Sequence, residues 1–179
     1  MAITLTFLGG TNQVGGNAVL LEDHKMNVKL LLDFGVNISD YYRAFSRGNP
    51  ATTIDDLFQE RILPKENQAN LHGLYKNSQE KSDLDAVLIS HPHKDHYLGL
   101  NFLNRAIPVH AGVMTKQIIL ALAESDRKAF DNDLSGIKLV EFRTGQHIQI
   151  KEIIIVPVHG DHSVPAEYCF ILYTSRVPI

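Results

Sequence analysis

The segment Ser90-His91-Pro92-His93-Lys94-Asp95-His96 determines how the rest of the chain is interpreted. It places three imidazoles and one carboxylate within six positions, directly after the largely apolar stretch 85–89. A short apolar run of this kind predicts a buried strand, and residues 97–103 predict the start of a helix. The polar side chains therefore lie at a turn from a strand to a helix.

The spacing within this turn predicts a metal site. Pro92 favours extended geometry for His91, and in an extended chain the side chains of His91 and His93 share a face, so both can bind one ion. Asp95 and His96 lie beyond the bend and can reach a second ion. Imidazole and carboxylate are typical ligands of hydrolytic zinc sites, and manganese or iron could take the same place. Packing alone does not explain these residues, because unpaired polar groups are costly beside a buried strand.

The pattern His-x-His-x-Asp-His after an apolar strand resembles the signature of the metallo-β-lactamase fold superfamily, and most of all its β-CASP nuclease branch, which includes RNase J-like and cleavage-factor-like enzymes. The resemblance implies an α/β fold, the first half of a four-layer αββα sandwich, with a long insertion at about 37–84. Family members carry an aspartate that bridges two metals soon after the last strand seen here, but none lies between Asp161 and Ile179. Residues 1–179 are therefore expected to be the N-terminal part of such a domain, without the β-CASP domain and the C-terminal half.

Candidate site residues also follow two other apolar runs of the sequence. After residues 153–158, His159 and His162 compete as metal ligands. The run Asp161-His162-Ser163-Val164-Pro165 resembles the β-CASP form of the third family motif, which implies His162 as the ligand. Asp161, Ser163 and His159 are candidates to orient a ligand, although Asp161 could equally cap the turn. Asp33 follows Leu30-Leu31-Leu32; it is compatible with a loop cap, whereas the resemblance implies that it orients a water or a ligand histidine.

The family resemblance implies a metal-dependent phosphodiesterase or nuclease that acts on single-stranded RNA or DNA. Two zinc ions, or manganese or iron, would activate a water, and Asp95 and Asp33 would be the catalytic carboxylates. Aromatic and basic side chains are mixed in residues 37–84, as in single-strand binders, although an ordinary solvated excursion also fits. The alternatives are a small-molecule hydrolase for a thioester or lactam, and a metal-binding module without catalysis.

The amino-acid composition limits the number of domains, the class of partner and the cellular location that we expect. The 179 residues suggest one domain, and 44% hydrophobic residues suffice for a core. The net charge of −3 gives no general argument for nucleic-acid binding. No apolar run is long enough for a membrane span, no signal peptide is visible, and the single cysteine, Cys169, fits a cytoplasmic protein. Cys169 is expected to be a buried core thiol.

The expected truncation has its own consequences. The full-length protein is expected to be a homo-oligomer. We expect that residues 1–179 either are part of a longer polypeptide or, as an isolated chain, self-associate through the exposed faces of the strands at 153–155 and 170–172, because exposed apolar surface and unpaired strand edges drive association. Little nuclease activity is expected from residues 1–179 alone.

Overall fold

The computed structural model describes residues 3–45, 51, 53–125, 132–162 and 164–179. Within these ranges nine strands form two sheets, of six strands in the order β1-β2-β3-β4-β5-β6 and of three in the order β7-β8-β9. The strands are β1 Ile3–Gly9, β2 Ala18–Asp23, β3 Val28–Leu32, β4 Ala86–Ile89, β5 Val109–Gly112, β6 Leu139–Phe142, β7 Ile148–Ile150, β8 Ile153–His159 and β9 Tyr168–Tyr173.

The large sheet changes from antiparallel to parallel at β3. Strands β1 to β3 form an antiparallel meander, and β3, β4, β5 and β6 then run parallel. Strand β4 is buried at every position, as expected for a parallel strand covered on both faces. Because Leu32 pairs with Leu88, the residues that follow β3 and β4 emerge side by side at one edge of the sheet.

Of the helices in the described ranges, Val113–Ser125 has 13 residues and the others have at most seven. The helices are α1 Ile38–Ala44, α2 Ile54–Gln59, α3 Glu66–Ala69, α4 Lys94–Tyr97, α5 Val113–Ser125, and the 3-10 helix Leu98–Phe102. The first three belong to the predicted insertion, and Thr53 caps α2 through a reciprocal bond with Asp56. The sequence predicted a helix over 115–130; it begins at Val113, and residues 126–130 lie outside the described residues.

Two apolar cores separate three layers. One core lies between the helices and the large sheet, and it includes Leu31, Val87 and Ile119. The other lies between the two sheets, where Leu30 and Leu88 meet Ile155 and other residues of the small sheet. The predicted α/β sandwich is confirmed. The outer face of the small sheet carries exposed side chains such as Ile154 and Ile171, and no described helix lies over it.

Two local predictions were wrong. Helix α4 begins at Lys94, inside the motif rather than after it, because the extended backbone of His93 already forms its N-terminal boundary. Asp95 and His96 are therefore on the first helical turn. Cys169 is exposed rather than buried, because strand alternation in β9 turns Leu172 toward the core and Cys169 outward. No helix among the described residues is long and apolar enough to cross a membrane.

Candidate metal centre

A three-histidine cluster, formed by His91, His93 and His162, lies at the edge of the sandwich. One ligand-type nitrogen from each ring lies within 4.8 Å of the other two. His91 and His93 leave the end of β4, whereas His162 comes from the loop between β8 and β9. That loop is tied to the same edge by a 2.9 Å hydrogen bond from the Tyr168 backbone N–H to the Ser90 carbonyl. The cluster therefore joins the two sheets.

The His91 and His93 rings face each other, as their spacing predicted. Their facing nitrogens, His91 Nε2 and His93 Nδ1, are 3.0 Å apart, and the rings meet edge to face. His162 stands 5.1 Å from His91 and 5.5 Å from His93, measured between ring centroids. Three imidazole nitrogens converging on one point form a donor set suited to zinc and similar divalent ions.

His162 rather than His159 belongs to this cluster. His159 is still part of β8, paired with Tyr168 and exposed, and its ring packs against the Tyr168 ring at 5.7 Å. His162 lies beyond the strand, in the loop that returns over the site. Asp161 is exposed, and Ser163 lies outside the described residues.

Asp33 connects the end of β3 to the histidine motif. Its Oδ2 accepts a 2.7 Å hydrogen bond from His96 Nδ1 and a 2.8 Å bond from the Ser90 hydroxyl. Its Oδ1 accepts a 2.7 Å bond from the Ser90 backbone N–H. Asp33 has a φ of 56°, a left-handed conformation that aspartate tolerates better than most residues. The strand-end aspartate thus contacts a histidine of the motif, as the family resemblance implied.

A glycine-rich turn, residues 9–17, packs against Asp95. An added Cβ at Gly15 would lie 2.9 Å from the Asp95 carboxylate, and one at Gly35 would lie only 1.6 Å from the Asp95 carbonyl oxygen. Both close approaches require glycine. The Asn17 backbone N–H donates to that carbonyl at 3.0 Å, and the Asn17 side chain lies 2.9 Å from His96 Nε2. The turn therefore sets the position of the Asp95–His96 pair, whose Oδ2 and Nε2 are 3.6 Å apart.

The pKa values of two imidazoles move in opposite directions. Burial, and after it the neighbouring His96, lowers the pKa of His91 to about 4. His91 is therefore neutral near pH 7, with a lone pair available for a metal. Burial also disfavours the charged form of His96, but its bond to Asp33 and the negative charges of Asp95 and Glu167 raise its pKa overall.

The structure brings most of the predicted site residues together. His91, His93 and His162 form one group, and Asp33, Asp95 and His96 form an adjoining one. Sequence reasoning assigned no contact to Ser90, Asn17 or Gly35, although the family resemblance implied that the glycine-rich turn ending at Asn17 lies near the metal site. Ser90 stood next to the motif but carried no ligand signal, and the other two approach the site only through the folding of distant segments.

Comparison with known proteins places the chain in a family. A model of the beta-lactamase superfamily domain matches residues 63–173, and the chain belongs to that family. Ribonuclease J from Sinorhizobium meliloti (strain Sm2011 / Rm2011 / 2011) is 28% identical over 100 residues, which cover 55% of this chain and 17% of that protein.

Solved structures share the fold. A protein of unknown function from Enterococcus faecalis V583 superposes with a TM-score of 0.73 at 22% identity, over 97% of this chain and 41% of its own. A diphosphatase from the PhnP family superposes with a TM-score of 0.57 at 16% identity, over 96% of this chain and 62% of its own. A metallo-β-lactamase from Cronobacter sakazakii gives 0.54 at 13% identity, over 94% and 51%. The chain thus has the metallo-β-lactamase fold and spans less than half of the Enterococcus protein and about a sixth of the ribonuclease.

Proposed function

We propose that this chain carries the metal centre of a hydrolase that cleaves phosphodiester bonds in single-stranded RNA. The observation that carries the proposal is the convergence of the three-histidine cluster with the Asp33–His96 pair at one edge of the sheet. Ribonuclease J, the 28% identical relative, supports RNA as the substrate. The diphosphatase shares the fold and supports a phosphate-containing substrate in general.

The donor set fits two divalent ions. His91, His93 and His162 would hold the first ion. Asp95 and His96 would contribute to the second, since their ligand atoms lie 3.6 Å apart beside the cluster. Zinc is the expected metal, because imidazole and carboxylate donors without cysteine are common in hydrolytic zinc sites; manganese and iron suit the same donors. When bound, such ions lower the pKa of water and neutralise charge on a phosphate.

The protein side chains have separate roles around that chemistry. Asp33 holds the His96 ring by accepting its Nδ1–H, so Nε2 points toward Asp95. Asp95 has a side chain that is 28% exposed, so its carboxylate can reach both the centre and solvent. It would orient the attacking water and accept its proton. The Gly15 and Gly35 contacts keep that carboxylate in place.

Asp95→Asn tests the proposal directly. The full-length protein, loaded with zinc or manganese, is offered a labelled single-stranded RNA, a chromogenic phosphodiester, a thioester and a β-lactam. We expect metal-dependent cleavage of the phosphodiesters, lost in Asp95→Asn and kept in Glu152→Gln, an exposed control on the β7–β8 turn. Hydrolysis of the thioester or lactam alone would replace the proposal with a small-molecule hydrolase. Metal binding without turnover of any substrate would favour a non-catalytic module.

A further inference from the structure

Ser90 occupies the centre of a partly buried hydrogen-bond network. Its hydroxyl oxygen lies 2.8 Å from Asp33 Oδ2, 2.9 Å from His91 Nδ1 and 3.3 Å from His96 Nδ1. Among the network's members, His91 is 3% exposed and Asp33 is 9% exposed. In such a setting an unmatched donor or acceptor is costly, so the direction of each bond is strongly constrained.

The single hydroxyl proton decides those directions. A carboxylate can only accept, so the Ser90 proton goes to Asp33. The Ser90 oxygen is then left to accept, and His91 Nδ1 at 2.9 Å must carry the proton of that bond. His96 Nδ1 donates directly to Asp33 at 2.7 Å, a shorter distance than its 3.3 Å to Ser90. In their neutral forms, both rings therefore carry their proton on Nδ1 and keep a lone pair on Nε2.

The same network serves both groups of ligands. The Nε2 of His91 faces His93 in the three-histidine cluster, whereas the Nε2 of His96 faces Asp95. Asp33 reaches His96 directly. Among the residues that the structure describes, the hydrogen bonds that connect Asp33 to His91 run through the Ser90 hydroxyl.

We propose that Ser90 is a positioning residue that holds His91 in the Nδ1–H tautomer and so links Asp33 to the three-histidine cluster. This rests on the proposed metal centre. Removing the hydroxyl leaves His91 Nδ1 without its acceptor, so the ring can change tautomer and turn its lone pair away. His96 keeps its own bond to Asp33. The loss should therefore affect the His91 side of the centre and spare the His96 side.

The tautomers of the metal-free protein test this without any assay of activity. Long-range ¹H–¹⁵N NMR should find His91 and His96 protonated at Nδ1 in the unaltered chain. In Ser90→Ala, His91 should gain the Nε2–H form while His96 is unchanged. In Ser90→Thr, which keeps the hydroxyl, both should stay as they were. His91 retaining the Nδ1–H form in Ser90→Ala would overturn the proposal.

Zinc titration gives the second readout. Affinity of the tighter site should fall about 10- to 100-fold in Ser90→Ala, the range found for partners that orient metal ligands. The zinc affinity of Ser90→Thr should stay within about threefold of that of the unaltered chain, because threonine keeps the hydroxyl that orients His91. Ser82→Ala is the matched control, because its hydroxyl bonds the Leu84 N–H away from the centre. Equal affinity in Ser90→Ala and Ser82→Ala would contradict the proposal.

The two readouts separate this inference from the proposed function. If the unaltered chain binds no zinc, the proposed metal centre fails, yet the tautomer of His91 still decides the role of Ser90. If zinc binds and the tautomers do not respond to Ser90→Ala, only the role of Ser90 fails.

Discussion

Asp23 and Asp33 lie at opposite ends of the β2–β3 hairpin and have almost the same burial, at 1% and 9% exposure. Each accepts a backbone N–H and a hydroxyl from a serine distant in sequence, Ser175 for Asp23 and Ser90 for Asp33. The difference lies in the remaining partners. Asp23 also accepts the backbone N–H groups of its own turn, at Lys25 and Met26, whereas Asp33 accepts an imidazole N–H from His96.

This comparison shows that burial and hydrogen bonding alone do not mark a functional carboxylate. Asp23 joins the hairpin turn to the end of β9, so its bonds hold the two sheets together. Asp33 orients a side chain whose other nitrogen faces the candidate centre. We therefore expect changes at the Asp33 end to alter metal affinity, and changes at the Asp23 end to alter stability.

The largest effect is expected from His91→Ala, at the Asp33 end. Removing one of three converging nitrogens should lower zinc affinity by more than about 100-fold, beyond the roughly 10- to 100-fold found for orienting partners. A competition titration with a chromogenic chelator measures it. His72→Ala is the control, since the His72 side chain is 68% exposed and lies 3.5 Å from the Glu80 carboxylate, away from the cluster. Similar affinity in both variants would refute the three-histidine cluster as a metal site.

Asp33→Asn should have the next largest effect. Asparagine also tolerates the left-handed backbone at this position, so the change tests the carboxylate rather than the turn. We expect zinc affinity to fall about 10- to 100-fold, because the ring of His96 loses its acceptor or must reorient. The control is Asp23→Asn. If Asp23→Asn weakens zinc binding as much as Asp33→Asn, the contrast between the two carboxylates is wrong.

Asp23→Asn should instead lower the free energy of unfolding by about 1–2 kcal/mol, because an amide N–H₂ group would face one of its present donors. Urea denaturation followed by circular dichroism measures this change. Zinc affinity should stay within about threefold of the unaltered chain. An unchanged denaturation midpoint would mean that the link between the β2–β3 turn and Ser175 contributes little to stability.

The smallest expected effect is the pH dependence of the stability that Asp23 contributes. Burial raises the pKa of Asp23, but bonds from Ser175, Met26 and Lys25 together lower it below its ordinary value. A lowered pKa in the folded state means that the folded chain binds this proton more weakly than the unfolded chain. Asp23 therefore adds to the free energy of unfolding above about pH 4, and this addition is lost as the pH falls through the pKa of Asp23 in the folded chain. Urea titrations between pH 7 and 3 should show the stability gap between the unaltered chain and Asp23→Asn narrowing with acid; a gap that widens would contradict this assignment.

The sequence by itself predicted the local parts of the candidate centre. Pro92 and the two-residue spacing of His91 and His93 led to facing rings, because extended backbone geometry depends on neighbouring residues alone. The apolar runs before Asp33 and His91 predicted strands with polar ends. Alternation also determines which side of β9 faces the core, yet the composition of that strand led to the wrong expectation for Cys169.

The tertiary structure decided every contact between segments far apart in the chain. Asp33 and Ser90 are 57 positions apart, and they meet because β3 and β4 pair in a register that places Leu32 beside Leu88. The family resemblance of residues 161–165 had implied His162 as the ligand, but its position beside His91 and His93 depends on where β8 ends and how the following loop returns toward Ser90. Register and loop path are set by the packing of whole sheets, and no local pattern of residues contains that information.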